Sequence, residues 1–171
     1  MARNLEIKVK LSSHKSIKET LTANGILDSA FLHQKDIYYK VDNGILKLRI
    51  ENEKQTLIYY DRNEKSKKRW SDYYLLNITT KDAEIFFKKL FKEIVTVEKQ
   101  RELFLYKNTR IHLDKVKRLG YFLELETRVT NGLKDAEKRF EYLVNLLNLK
   151  SKTEIRASYK DLLLQKKLFK K

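Results

Sequence analysis

From residue 4 to residue 11 the chain alternates strictly. Leu5, Ile7, Val9 and Leu11 fall on one side of an extended strand, and Asn4, Glu6, Lys8 and Lys10 on the other. Ser13 then stands where a helix N-cap belongs. Ile17 and Leu21 follow at helical spacing through residues 14–24, and Gly25 is placed to end that helix. The period returns to two in Ile37-Tyr38-Tyr39-Lys40-Val41. The turn Asp42-Asn43-Gly44 leads into Ile45 to Ile50, and Asn-Gly between β-branched and aromatic runs is a strong hairpin signal. Thr56 to Arg62 adds a third arm, the basic segment Arg62 to Arg69 reads as an exposed loop, and Arg69 to Ile78 as another strand. A helix capped by Thr79 or Thr80 is expected to turn Ile85, Phe86 and Leu90 inward. Strand patterns return in Ile94 to Tyr106, Thr109 to Val116 and Tyr121 to Val129. Asn131 is placed to cap a long helix carrying Leu133, Ala136, Phe140, Leu143 and Leu147, and Ala157 to Lys167 reads as a short closing helix.

The polar faces of these strands are unusual. A sheet with one face in water carries a mixture of small and charged residues there. Here strand after strand carries charge, mostly basic: Lys8 and Lys10, Lys47 and Arg49, Lys99 and Arg101, then Arg110. Glu6, Asp114, Glu124 and Glu126 sit on the same faces. The helices need an apolar sheet surface to cover. Closing the sheet with its apolar face outward would gather the charges into an interior channel. Like charges buried together repel, so such an interior calls for a polyphosphate and divalent metal ions. The competing reading is that each charged face is simply solvated.

Composition narrows the partners. The chain has 171 residues, 42% of them hydrophobic, and no internal repeat or linker divides it, so one domain over 1–171 is expected. With no cysteine, any metal must be held by oxygen or by the three histidines. The formal charge of +15 calls for a polyanion, a phosphorylated substrate or an anionic surface. The first residues show no signal-peptide core and no apolar run is long enough for a membrane span, so a cytoplasmic address is expected. Phosphate-binding glycine loops, His-Glu-x-x-His and nucleophile elbows are missing from the sequence.

Several short motifs stand in a telling order. Asn4-Leu5-Glu6-Ile7-Lys8 resembles the Glu-x-Glu-x-Lys signature of the CYTH, or triphosphate tunnel, family, with asparagine in place of the first glutamate. Gln34 to Tyr39, Gly44 to Arg49 and Leu57 to Arg62 are similar to the strands that follow it in that family. Val97-Glu98-Lys99-Gln100-Arg101 resembles its Lys-x-Arg strand. Arg110-Ile111-His112-Leu113-Asp114 and Phe122-Leu123-Glu124-Leu125-Glu126 resemble its closing strands. The resemblance runs from residue 4 to about residue 130 and is closest to the class IV adenylyl cyclase branch.

It implies an α+β fold: a closed or nearly closed antiparallel β-barrel of about eight strands with a charged tunnel, wrapped by helices. It further implies an enzyme using Mg²⁺ or Mn²⁺, held by Glu6, Glu124 and Glu126, because these ions prefer oxygen ligands. Lys8, Lys10, Lys47, Arg49, Arg62, Lys99, Arg101 and Arg110 are the expected triphosphate contacts. Lys99 is also expected to stabilise charge on the departing group. Asp114 either accepts the proton of an attacking hydroxyl or is a structural partner to a lysine across the barrel. The leading expectation is conversion of ATP to cyclic AMP and pyrophosphate. The alternative is a triphosphatase acting on nucleotides, thiamine triphosphate or inorganic tripolyphosphate. A third reading, a polyphosphate or nucleic-acid binding module, rests on the charge and on Lys150 to Lys171, with eight basic residues against two acids. Ordered acidic motifs argue against it, so nucleic acid is not expected as the main ligand. No membrane partner is expected, and a homodimer is among the assemblies open to the chain.

Overall fold

The computed structural model describes residues 2–62 and 69–168, with the side chains of residues 2–3 and 61–72 left outside the description. Eight strands and four helices follow one another: β1 Ala2–Leu11, α1 Lys15–Ala23, β2 Asp28–Tyr39, β3 Ile45–Glu51, β4 Lys54–Arg62, β5 Arg69–Ile78, α2 Ala83–Leu90, β6 Glu93–Tyr106, β7 Thr109–Val116, β8 Gly120–Arg128, α3 Leu133–Leu146 and α4 Tyr159–Leu168. A short 3₁₀ turn, Leu149–Ser151, joins the last two helices. All ladders are antiparallel, in the order β1-β5-β4-β3-β2-β6-β7-β8, with β8 returning to β1.

The expected closed or nearly closed barrel is corrected. The sheet curls through only about 182°, so its shape is an open half-barrel, a trough rather than a tunnel. Among the described residues, β1 meets β8 over eight residue pairs, from Asn4 to Leu11, and β5 over five, Ala2 to Glu6 against Tyr73 to Arg69. Beyond Glu6 the edge of β1 turns to the C-terminal segment instead. Val9 bridges to Glu154, and the Ile155 amide donates to the Lys8 carbonyl at 2.7 Å.

The apolar faces point away from the trough. Leu123, Leu125, Ile111 and Val9 pack with Ile17 and Leu21 of α1 and with Leu143 and Val144 of α3. Ile37, Tyr39 and Leu48 form a second cluster under α2, with Ala83 and partly buried Phe87. A third cluster lies on the inward face instead: Val95 and Val97 share the side of β6 that carries Lys99, Phe122 shares that of Glu124, and Tyr159 and Leu163 of α4 cover them. Each leucine buried in this way stabilises the fold by about 1.5–3 kcal/mol relative to exposure. The β2–β3 turn needs its glycine: Gly44 has φ +67°, and a Cβ there would lie 2.5 Å from the Tyr59 hydroxyl oxygen.

Local expectations differ from the structure in several places: Asp82, not Thr79 or Thr80, stands before α2, and Gly132, not Asn131, before α3. α2 is rotated, so Ile85, Phe86 and Leu90 are 61%, 56% and 58% exposed while Ala83 is buried. Phe87 decides the rotation by packing on Tyr39 and stacking on Phe91, and Lys35 holds the other flank by bonding Glu84 at 2.8 Å. His14, not Ser13, is the residue before α1, and its ring turns inward with Nε2 3.2 Å from the Phe122 carbonyl oxygen. β2 begins at Asp28, well before Ile37, because β6 pairs with it along nearly its whole length. The basic loop expected after Arg62 falls on residues 63–68, outside the described residues.

Candidate active site

The inward positions of the strands converge on a cavity of about 260 Å³. β1 contributes Asn4, Glu6 and Lys8; β3 contributes Lys47 and Arg49; β6 contributes Lys99 and Arg101. Arg110 of β7 and Glu124 and Glu126 of β8 complete the ionic lining. Period-two geometry accounts for this: each pair lies two residues apart on one strand and projects to one side.

The basic side chains do not stand as a cluster of bare like charges. Asp36 of β2 is buried among three of them. Arg49 grips it with two hydrogen bonds of 2.7 and 2.8 Å, Lys47 donates at 3.1 Å, and Lys99 lies 3.5 Å away. Burial works to raise the Asp36 pKa, but Arg49, Lys47 and Lys99 together hold it well below the usual carboxylate range. Burial, reinforced by Arg49, pushes Lys47 down to about 7. Burial and the neighbouring Arg101 also lower Lys99.

Asp114 plays the matching part for Arg101. The Arg101 Nε and Nη2 donate to its two oxygens, both at 2.6 Å, and Nη2 reaches Glu124 at 3.2 Å. The Tyr159 hydroxyl donates to Asp114 Oδ2 at 2.9 Å. Asp114 is fully buried behind Arg101, not on the cavity wall. Burial opposes its ionisation, yet Arg101 and Lys99 keep it charged. Arg101 in turn rises well above its ordinary value: burial would lower it, and Asp114 outweighs burial.

A second constellation gathers on β7 and β8. Ligand atoms of His112, Glu124 and Glu126 lie within 4.8 Å of one another. Burial, then Arg101, lowers the His112 pKa, which keeps the ring neutral and able to ligate. Burial opposes ionisation of both glutamates, but Lys8 holds Glu124 down, and His112 and Arg110 hold Glu126 to about 2. Glu6 faces Glu126 directly across the β1–β8 ladder, an arrangement that destabilises a sheet when nothing positive intervenes. The buried Asn4 Oδ1, on the same wall, makes no hydrogen bond. Carboxylate oxygens with one imidazole and a nearby amide oxygen fit a divalent cation.

Of the residues expected from sequence, Glu6, Lys8, Lys47, Arg49, Lys99, Arg101, Arg110, Glu124 and Glu126 share the cavity. Lys10 does not: it is exposed near the end of β1. The side chain of Arg62 lies outside the described residues. His112 joins the carboxylates where Glu6 was expected. Asp36, Tyr159 and Ser158 are the contributors that sequence reading missed. Asp36 sat in plain view within the second strand motif. The available signal was a lone carboxylate leading directly into the apolar and aromatic run Ile37-Tyr38-Tyr39. Tyr159 had none, because it reaches the site from α4.

Lys8 ties that helix to the sheet. Its Nζ lies 3.4 Å from Glu124, donates to the Ala157 carbonyl at 3.2 Å, and sits 4.4 Å from the centre of the Tyr159 ring. Among the described residues no helix is long and apolar enough to cross a membrane.

Residues 2–159 match the CYTH domain family. A protein of Methanocaldococcus jannaschii, provisionally named an adenylate cyclase, is 30% identical over 173 residues, covering 92% of this chain and 97% of that one. The solved structure of the PH1012 protein from Pyrococcus horikoshii has a TM-score of 0.81 at 22% identity, covering 93% and 98% of the two chains. That of a Hippeastrum protein has a TM-score of 0.69 at 11% identity, covering 96% of each chain. That protein, provisionally named an adenylyl cyclase, has a dominant triphosphatase activity. The order of motifs, the register that gathers them and the match over residues 2–159 agree: the chain belongs to the CYTH domain family.

Proposed function

We propose that the protein is a divalent-metal-dependent triphosphatase. The observation that carries this reading is the convergence of six described cationic side chains, from Lys8 to Arg110, on one cavity with Glu124 and Glu126, whose ligand atoms lie within 4.8 Å of those of buried His112. A chain of phosphates is the ligand that satisfies both parts. The Hippeastrum protein, with the same fold, supports hydrolysis over cyclisation.

In this reading water attacks the terminal phosphorus. The new P–O bond forms as the bond to the bridging oxygen breaks, giving inorganic phosphate and a product one phosphate shorter. Lys47 and Arg49 of β3, Lys99 and Arg101 of β6 and Arg110 of β7 hold the phosphate chain. Each contact strengthens as charge develops on the departing oxygen. His112, Glu124 and Glu126, with Glu6 and Asn4 beside them, would hold the cation, which when bound neutralises phosphate charge. Asp114, already engaged by Arg101 and Tyr159, is assigned to hold Arg101 in place. Of the two roles expected for it, this is the structural one, with Arg101 in place of a lysine as its partner.

A second reading is retained on the name of the Methanocaldococcus relative: the ribose hydroxyl of ATP attacks the α-phosphorus and pyrophosphate leaves. Chromatography of products after incubation with ATP and Mn²⁺ separates the two. Phosphate with ADP is expected. Cyclic AMP with pyrophosphate would overturn hydrolysis, and unchanged ATP and tripolyphosphate would overturn both.

A further inference from the structure

The outside of the sheet carries a second concentration of charge. On β6, Lys99 and Arg101 face the trough, so Glu98 and Gln100 beside them point outward and are exposed. Glu98 lies between Lys35 of β2 and Lys117 beside the end of β7, and Gln100 lies between His33 and Lys115. With Arg118 of the β7–β8 turn, these residues line an open groove of about 820 Å³. A second groove, of about 590 Å³, shares Glu98, Lys117 and Arg118 and runs on to Lys166 and Lys167 of α4. Apart from Lys99, which serves the trough, six cations along this track meet two carboxylates, Glu93 and Glu98, among the described residues. Lys117 takes Glu98 at 2.8 Å, and Lys35 takes Glu84 of α2 at 2.8 Å. Lys115, Arg118, Lys166 and Lys167 remain in excess over Glu93.

Two features separate this track from an ordinary solvated face. Arg118 has φ +69°, a region that glycine adopts freely and a side chain resists. The turn thus keeps a cation where glycine would be easier. Its carbonyl accepts a hydrogen bond from Lys166, which ties the turn to the end of α4 and joins the two grooves. Aromatic rings also stand at the far end of the track. Phe31, 54% exposed, meets exposed His33 edge-on with centroids 5.1 Å apart, on the face of β2 that carries Lys35. Cations that follow a groove suit a phosphate backbone, and exposed rings beside them suit unpaired bases. A flat anionic membrane has no use for a groove, and an acidic peptide brings no planar base to the rings.

We propose that this outer track binds single-stranded nucleic acid, with Lys115, Lys117, Arg118 and Lys167 on phosphates and His33 and Phe31 against a base. It lies outside the trough and does not depend on which reaction the trough carries out.

Fluorescence anisotropy tests this with a short labelled oligouridylate that has no terminal phosphate, in the absence of divalent metal. Wild type should bind it with a logarithmic salt slope of about −3, near 0.7 for each phosphate contacted. Lys115→Glu combined with Arg118→Glu should weaken binding at least about tenfold and flatten the slope by about half. His33→Ala should weaken it about tenfold, the scale of one stacked base, with the slope unchanged. Lys134→Glu combined with Lys138→Glu makes the same change of charge at exposed positions of α3 and should leave binding nearly as it was. Arg110→Ala, in the trough, should do the same. Equal loss in the α3 variant would mean that net charge alone is at work, and equal loss in Arg110→Ala would put the oligonucleotide in the trough; either overturns the inference. So does a His33→Ala variant that binds like wild type. Failure of wild type to bind the oligonucleotide overturns it as well, whether or not vesicles of phosphatidylcholine and phosphatidylserine are bound instead.

Discussion

The Tyr159 hydroxyl donates to Asp114 Oδ2 at 2.9 Å, joining α4 to the buried end of the Arg101 ion pair. The same ring packs edge-on against Phe122 with centroids 5.0 Å apart and lies over Lys8. Removing only the hydroxyl leaves an ionised buried oxygen short of one donor. Hydrogen bonds to charged groups contribute about 1.5–3 kcal/mol. Tyr159→Phe should therefore lower the melting temperature by several degrees while keeping the fold. A melting curve that overlays the wild type would show that the hydroxyl contributes nothing.

Asp114→Asn tests the structural role of that carboxylate. If it holds Arg101, the amide weakens the pair, and substrate affinity and turnover should fall together, with kcat/KM down on the order of tenfold to a hundredfold. Steady-state kinetics against pH separate this from proton transfer. Loss of kcat alone, with KM unmoved and one limb of the pH–rate profile gone, would restore Asp114 as the base.

Glu124→Gln removes an ionic ligand and keeps the volume. It also strips Lys8 and Arg101 of a shared partner, at 3.4 and 3.2 Å. Mn²⁺ binding, followed by electron paramagnetic resonance, should weaken markedly, and turnover should fall by a hundredfold or more, about the range for a lost transition-state contact. The far-UV circular dichroism should be unchanged. Full activity in excess chelator would refute metal dependence.

Lys47 predicts a pH dependence with a definite sign. Its pKa is pushed down to about 7, with Asp36, Arg49 and Lys99 as its charged neighbours. The unfolded chain holds that proton up to the ordinary lysine range, about 10.4. Between these values the unfolded state binds more protons, so the ligand-free protein should gain stability as pH rises through this window and lose it as pH falls toward 7. A phosphate chain favours the charged amine, so tripolyphosphate should bind with proton uptake above pH 7. Calorimetry in two buffers of different ionisation enthalpy measures that uptake. It should vanish in Lys47→Met; equal uptake in wild type and variant would rule Lys47 out as its source.

Much of the site was legible in the strands. Glu6 and Lys8, Lys47 and Arg49, Lys99 and Arg101, and Glu124 and Glu126 each lie two residues apart, so alternation alone puts each pair on one face. Lys10 shares the alternation with Lys8 and yet lies in solvent, because a strand outruns the cavity it helps to line. The helix facing was less legible. Ile85, Phe86 and Leu90 have the spacing of a buried stripe, but the aromatic contacts of Phe87 with Tyr39 and Phe91 set the rotation of α2.

Sequence by itself determined which residues alternate, which carry charge and in what order the motifs run, because backbone geometry ties side-chain direction to spacing along a strand. It could not determine how far the sheet closes. That depends on pairing between segments far apart in the chain, such as the Ile155 amide with the Lys8 carbonyl at the edge of β1. Nor could it decide which carboxylates meet ligands and which meet arginines. Asp36 and Asp114 became the buried partners of Arg49 and Arg101 because register placed each opposite its arginine on the neighbouring strand, and only the folded sheet sets register.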